Sequence, residues 1–142
     1  MNAGKYIFSQ LVSFLPKRVF DSIVKKYEGD KWVKHFTCWN QLLVMMFGQL
    51  AGCNSLRKVA AIIDAIKSKS YHLGFGSGDI KLSNMSYANA NRDYKIFEEF
   101  AYYMIDLAQS KRITRQFELN GKFYAFDSTT IDLCMSLWTS DH

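Results

Sequence analysis

Arg57 and Lys58 follow a Gly52-Cys53-Asn54 turn and a capping Ser55, where an apolar helical pattern begins. Two cations at that point sit beside the backbone N–H groups of a helix N-terminus, and both favour phosphate. Residues 40–66 read as helix, Gly-containing turn, helix. That is loosely a helix-turn-helix, whose second helix enters the major groove of DNA. An ordinary helical hairpin with solvated charges has the same pattern. A second polar run holds Asn84, Asn89, Asn91 and Arg92. Asn pairs with adenine and Arg with guanine in the major groove, while Asn is equally a cap or turn residue. Lys17, Arg18, Lys25, Lys26, Lys31 and Lys34 could contact phosphates without reading sequence. A solvated helix face accounts for them just as well.

Three further residue types invite catalytic readings. Asp127 ends the apolar run Phe123-Tyr124-Ala125-Phe126 and precedes Ser128-Thr129-Thr130. From the residues alone it is a strand-end carboxylate bonded to Thr129 or Thr130. Asp132 lies five residues on, and an odd offset puts it on the opposite strand face unless a bulge intervenes. His72 has no nucleophile near it in sequence and reads as a packing histidine. Cys38, Cys53 and Cys134 form no C-x-x-C pair and read as reduced thiols in an intracellular protein rather than as metal ligands.

The elements that must position these groups are mostly helical. Ile7, Phe8, Leu11, Phe14 and Leu15 fall at helical spacing over 5–15, and Pro16 breaks that run to open a second helix. Val19, Phe20, Ile23, Val24 and Tyr27 form the apolar face of that helix, which Glu28-Gly29-Asp30 ends. Thr37 is placed to cap a third helix with a broad apolar face from Trp39 to Leu50. Leu56, Val59, Ala60, Ile63 and Ile66 mark a fourth. Ser68–Ser83 reads as a loop, and Ser83 as the cap of a short helix through Ala90. Arg92 or Asp93 starts a long helix with the stripe Phe97, Phe100, Ala101, Met104, Ile105 and Ala108, closed by Lys111 and Arg112. The aromatics at Trp32–Trp39 and Tyr94–Tyr103 read as core. Asn120-Gly121 is a tight-turn signal, and Phe123–Leu133 reads as a strand apolar on both faces, hence central in a sheet.

The chain has 142 residues, 49% of them hydrophobic and 15% aromatic, enough for one domain with a buried core and no disulfide staples. One Pro and 8 Gly exclude collagen-like and low-complexity classes. The net charge of +5 suits nucleic acid or an anionic surface and demonstrates neither. All 18 basic residues lie in 1–122 with 10 of the 13 acidic ones, so 123–142 hold only Asp127, Asp132 and Asp141. A basic body and an acidic, apolar end suggest two parts with different jobs. The start lacks a small-residue cleavage site and does not read as a signal peptide. The longest apolar stretch, Leu42–Gly52, is about half of what a membrane span requires.

The strand Phe123-Tyr124-Ala125-Phe126-Asp127-Ser128-Thr129-Thr130-Ile131-Asp132-Leu133 resembles the first catalytic strand of DDE transposases, most closely those of the bacterial insertion-sequence family numbered four. The upstream chain is similar to the N-terminal domain of one branch of that family. The matching blocks are Gly4-Lys5-Tyr6, Gln10-Leu11, Phe14-Leu15-Pro16, Cys38-Trp39 with Gln41, Gln49-Leu50, Ser55-Leu56-Arg57, Tyr71-His72-Leu73-Gly74 and Ala88-Asn89-Ala90-Asn91-Arg92-Asp93. The second Asp and the Glu of the family have no counterparts in this sequence.

The resemblance implies a mainly α protein. Residues 1–115 would be a multi-helix N-terminal, DNA-binding transposase domain. Residues 116–142 would be the truncated start of the DDE catalytic domain, with the first β-strand or hairpin of an incomplete ribonuclease-H-like fold. It implies cut-and-paste type DNA transposition by Mg²⁺-dependent phosphoryl transfer, with Asp127 as catalytic residue and metal ligand. A lone carboxylate holds Mg²⁺ poorly, so this chain is not expected to bind the ion or cut DNA alone. The implied partners are double-stranded DNA at the element's terminal repeats and a second copy or a full-length transposase, with no membrane. The implied location is cytoplasmic, at the nucleoid. Two other readings stay open: a helical DNA-binding regulator, and a helical protein-interaction module, both without enzymatic ancestry.

Overall fold

Pro16 sets the first boundary of the chain. It lacks an N–H and its φ is fixed near −76°, so it stands where one helix stops and another starts. α1 (Ile7–Ser13) precedes it and α2 (Lys17–Lys26) follows. The computed structural model describes residues 7–75 and 80–111. The chain divides into Met1–Lys111 and Arg112–His142, and all described residues lie in the first unit. The strand expected over 123–133 and the turn at Asn120-Gly121 lie outside them. Among the described residues the fold is helical throughout: α3 (Cys38–Leu50), α4 (Leu56–Ala65), a 3₁₀ segment (Lys67–Leu73), α5 (Leu82–Asn91) and α6 (Lys95–Lys111) complete it.

Local chemistry explains most of these boundaries. Thr37 is extended and its hydroxyl accepts from the Asn40 N–H, capping α3. Ser55 does the same for the Lys58 N–H at the start of α4. Such caps stabilise by about 1 kcal/mol each, because they satisfy donors that a helix leaves unpaired. The Asp93 carboxylate accepts from the Lys95 N–H where α6 begins. Ser83 departs from expectation. α5 starts at Leu82 after an extended Lys81 with no side-chain cap, so Ser83 is already inside the helix. The loop expected over 68–83 is partly wrong as well. Lys67–Leu73 is 3₁₀-helical, which carries Leu73 and then Phe75 into the core as buried plugs.

α3 is the hub because it is apolar on two sides. One side joins Phe8 of α1, Val59 and Ile63 of α4, Leu73, Phe75, and Met85 and Ala88 of α5 around Leu43 and Val44. Phe8, Phe47 and Phe75 meet here edge-on or tilted, with ring centroids 5.5–5.8 Å apart. The other side, through Cys38, joins Phe20, Ile23 and Val24 of α2 to Ile96 and Phe100 of α6. Trp39 packs against both clusters. Each large side chain fully buried in this way stabilises the fold by roughly 1.5–3 kcal/mol. Gly48 permits the approach of α4: a Cβ there would stand 2.7 Å from Val59 Cγ2.

The two aromatic stretches expected to be core, Trp32–Trp39 and Tyr94–Tyr103, are core only in part. Trp32, Tyr94, Tyr102 and Tyr103 are exposed, whereas Phe36 and Phe100 are buried. In α6 the expected stripe is shifted. Ile96 is the fully buried residue, and Ala101, Ile105 and Ala108 are exposed. Phe14 and Leu50 are exposed too. They line an apolar hollow of about 770 Å³ with Leu11, Leu42, Met45 and Phe97. No described helix is long and apolar enough to cross a membrane.

Candidate nucleic-acid interface

The residues expected to contact DNA fall into two sets, separated by what their charges touch. Arg57 and Lys58 occupy the first turn of α4, held there by the Ser55 cap below them and by Val59 packed on Gly48 behind. Both are exposed and neither has an ion-pair partner among the described residues. The outer face of α4 continues with Ala61, Asp64 and Ala65, all exposed. α3, the turn at 51–55 and α4 therefore present two unpaired cations at a helix start, the arrangement that attracts phosphate. Arg18 and Lys25 on α2 are likewise exposed without a carboxylate partner among the described residues.

The second set is engaged within the fold. Arg92 has a side chain only 9% exposed, with Nη1 donating to Gln41 Oε1 at 2.9 Å and Nη2 donating to the Phe36 carbonyl. Its guanidinium lies over the Phe36 ring, and Asp30 is 3.8 Å away. Asn89 accepts at Oδ1 from Gln41 Nε2 at 2.6 Å. Asn91 donates from Nδ2 to the Tyr87 carbonyl, the bond of a helix-end Asn. Lys17 pairs with Asp21 at 2.7 Å and Lys26 with Glu99 at 2.8 Å. The Tyr27 hydroxyl donates to the same Glu99 carboxylate, so α2 and α6 share one polar seam. Lys26 and Tyr27 hold Glu99 below its ordinary 4.5, and Glu99 raises Lys26 and Tyr27 in return. For these residues the structure supplies an intramolecular role that satisfies them without DNA.

Asp30, which the sequence offered only as part of a helix stop, organises the loop from 28 to 37. Its Oδ1 accepts from the Cys38 N–H at 2.7 Å, neutralising the start of α3. Burial and its hydrogen bond to Asp30 push the Cys38 thiol up to about 12, so it is an inert packing group. Gly29 passes close to the core here: a Cβ would fall 2.5 Å from Ile96 Cδ1 and 2.8 Å from Cys38 Sγ. Asn40 Nδ2 donates to the His35 carbonyl. Blocks some fifty residues apart, Cys38-Trp39 with Gln41 and Asn89–Asp93, thus meet in one hydrogen-bonded cluster. No buried side-chain polar atom among the described residues lacks a partner.

Lys31, Lys34 and Asn84 line a cleft of about 370 Å³ between this loop and α5, to which Trp32, Tyr87 and Asn91 also contribute. Sequence reasoning placed Trp32 in the core and passed over Tyr87. The alternation Lys31-Trp32-Val33-Lys34 was the available signal, an aromatic flanked by cations. His72 is exposed and stacks edge-on against Tyr71. Among the described residues no three His, Cys, Asp or Glu side chains are grouped to hold a metal. Asp127 and Asp132 lie outside the described residues.

No curated protein matches the chain, and no solved structure does. Residues 3–76, which carry α1 to α4 and the 3₁₀ segment, match a family described as "Domain of unknown function (DUF4372)". That span is just over half of the 142 residues, and the chain belongs to this family.

Proposed function

We propose that the helical unit is the DNA-binding N-terminal domain of a DDE-type transposase and engages the terminal repeats of an insertion sequence. The observation that carries the reading is the pair Arg57 and Lys58. They are exposed and unpaired at the start of α4, on a helix-turn-helix pair locked by Gly48 against Val59. Support also comes from the family, a domain commonly found at the N-terminus of transposases. Arg18 and Lys25 add cations that follow the phosphate backbone without reading bases. Arg92 and Asn89 position α5 against α3 in this reading and do not read bases themselves.

Within the same proposal Asp127 is the first carboxylate of the catalytic set and would be a ligand of Mg²⁺, which prefers hard oxygen donors. It is the one residue of this sequence assigned to that set, and the purified chain with Mg²⁺ is expected to leave DNA uncut. The test of binding is fluorescence anisotropy with a duplex carrying the repeats that flank the gene. Affinity should fall steeply with salt, since each phosphate neutralised releases counterions. Arg57→Ala with Lys58→Ala should flatten the log–log salt slope by about 2. Absent or salt-independent binding would overturn the proposal.

A further inference from the structure

The cleft between the 28–37 loop and α5 is chemically unlike the outer face of α4. Trp32 is 90% exposed and Tyr87 72% exposed, yet both line this one cleft. Trp32 also sits at φ +64°, a left-handed conformation in which a bulky side chain is a genuine outlier. The loop is not slack around it. Asp30 is fixed on the Cys38 N–H, His35 by Asn40, and Phe36 by Arg92. A rigid loop thus holds a strained indole away from the core.

The charge around the two rings is favourable to an anion. Glu28 is paired with Lys31 at 2.8 Å, and Asp30 is bonded to the Cys38 N–H with Arg92 close by, so both nearby carboxylates are compensated. Lys34 is exposed with no ion-pair partner among the described residues. Asn84 supplies an amide on the α5 wall. Aromatic faces, an unpaired ammonium and an amide in one hollow are what an unpaired nucleotide requires. The base stacks, the phosphate meets the cation, and no particular base is demanded. A paired base offers no free face to such a cleft.

We infer that this cleft binds unpaired DNA nucleotides, with Trp32 and Tyr87 as stacking groups and Lys34 on the phosphate. This is a second DNA site, distinct from the duplex face of α4. The full chain would be titrated against three labelled DNA probes: a paired duplex, the same duplex with a central unpaired bubble, and a single strand. The bubble should bind roughly tenfold tighter than the duplex, with quenching of tryptophan emission. Trp32→Ala should abolish that preference while leaving duplex affinity unchanged, and Trp32→Phe should restore most of it without the quenching. Tyr87→Ala should reduce the preference in part.

Because Trp32 is exposed, its variants should melt no earlier than the parent chain. A bubble preference that survives Trp32→Ala, or equal affinity for bubble and duplex, would overturn the inference. Tighter binding of an RNA strand of the same sequence would overturn the assignment to DNA. Loss of salt-dependent duplex binding alone, with the bubble preference intact, would remove the α4 proposal and leave the cleft standing.

Discussion

Two regions of the helical unit carry similar residues and use them in opposite ways. At the junction of the 28–37 loop with α5, Arg92, Asn89, Gln41 and Asp30 are bonded to one another or to the backbone, with Gln41 and Arg92 largely out of solvent. On the outer face of α4, Arg57 and Lys58 are exposed and unpaired. An arginine in each place looks alike in sequence. One holds three segments together and the other is available to a ligand. The difference teaches that the partners of a cation, rather than its presence, separate structural from recognition charge.

The sharpest way to break this contrast is Arg92→Ala. It leaves Gln41 Oε1 and the Phe36 carbonyl without their donor and removes the cation beside Asp30. Loss of a buried network of this kind costs about 3 kcal/mol, read as a lowered midpoint in urea. Arg92→Lys should recover little, because an ammonium cannot reproduce the fork that spans two acceptors. Were Arg92→Ala as stable as the parent and poorer at binding DNA, the two regions would have exchanged roles.

Two glycine substitutions sharpen the comparison at a somewhat smaller scale. Gly29→Ala drives a methyl group towards Ile96 and Cys38, and Gly48→Ala drives one towards Val59. Each should cost about 1–3 kcal/mol by overpacking, measured by thermal melting. Their binding effects should diverge. Gly29→Ala disturbs the loop and should weaken capture of the bubble more than of the duplex. Gly48→Ala shifts α4 against α3 and should weaken the duplex more.

How much of this was legible depended on whether a signal was local. The Thr37 and Ser55 caps, the break at Pro16 and the α2 face of Phe20, Ile23 and Val24 follow from short-range rules, and the structure has them in place. Ser83 misled because a capping residue one position inside a helix looks the same as one at its start. The role of Asp30 was illegible, since its acceptor contacts lie eight residues on and across to Arg92. Trp32 was misplaced by a sound average, that aromatics are buried. Only the tertiary fold shows the indole turned outwards. The outer face of α4 proposed to meet duplex DNA and the cleft were therefore unequally visible: Arg57 and Lys58 follow from a local cap, whereas the cleft needs two distant segments.

Trp32→Gly tests the strain on the loop side directly. Glycine accepts φ +64° freely, so the folded state loses a penalty of about 1–2 kcal/mol. The more flexible unfolded chain offsets roughly half of that. A net gain of up to about 1 kcal/mol should appear in the melting midpoint, together with loss of the bubble preference. On the α4 side no such exchange is expected. Arg57→Ala with Lys58→Ala should change stability by less than about 0.5 kcal/mol.

The smallest effect concerns the seam at Lys26, a cation that belongs with Arg92 rather than with Arg57. Its ammonium and the Tyr27 hydroxyl both bond the Glu99 carboxylate, which holds that carboxyl below the ordinary 4.5. A group whose folded value is depressed contributes stability above its unfolded value and loses it as pH falls through the folded one. Lys26 and Tyr27 are raised from 10.5 and 10.0, so their share is present below those values and lost above the folded ones. Glu99→Gln removes both limbs. Its melting midpoint should lie slightly below the parent's at neutral pH and converge with it as pH falls through the depressed Glu99 value. Parallel curves would mean that the seam adds nothing to stability. Duplex affinity at neutral pH should be unchanged in Glu99→Gln, because Lys26 is held towards α6 on a helix that packs in the other core cluster from α4, which carries Arg57 and Lys58. A rise in affinity on freeing it would return Lys26 to the DNA-contacting set and show that pairing with Glu99 had masked it.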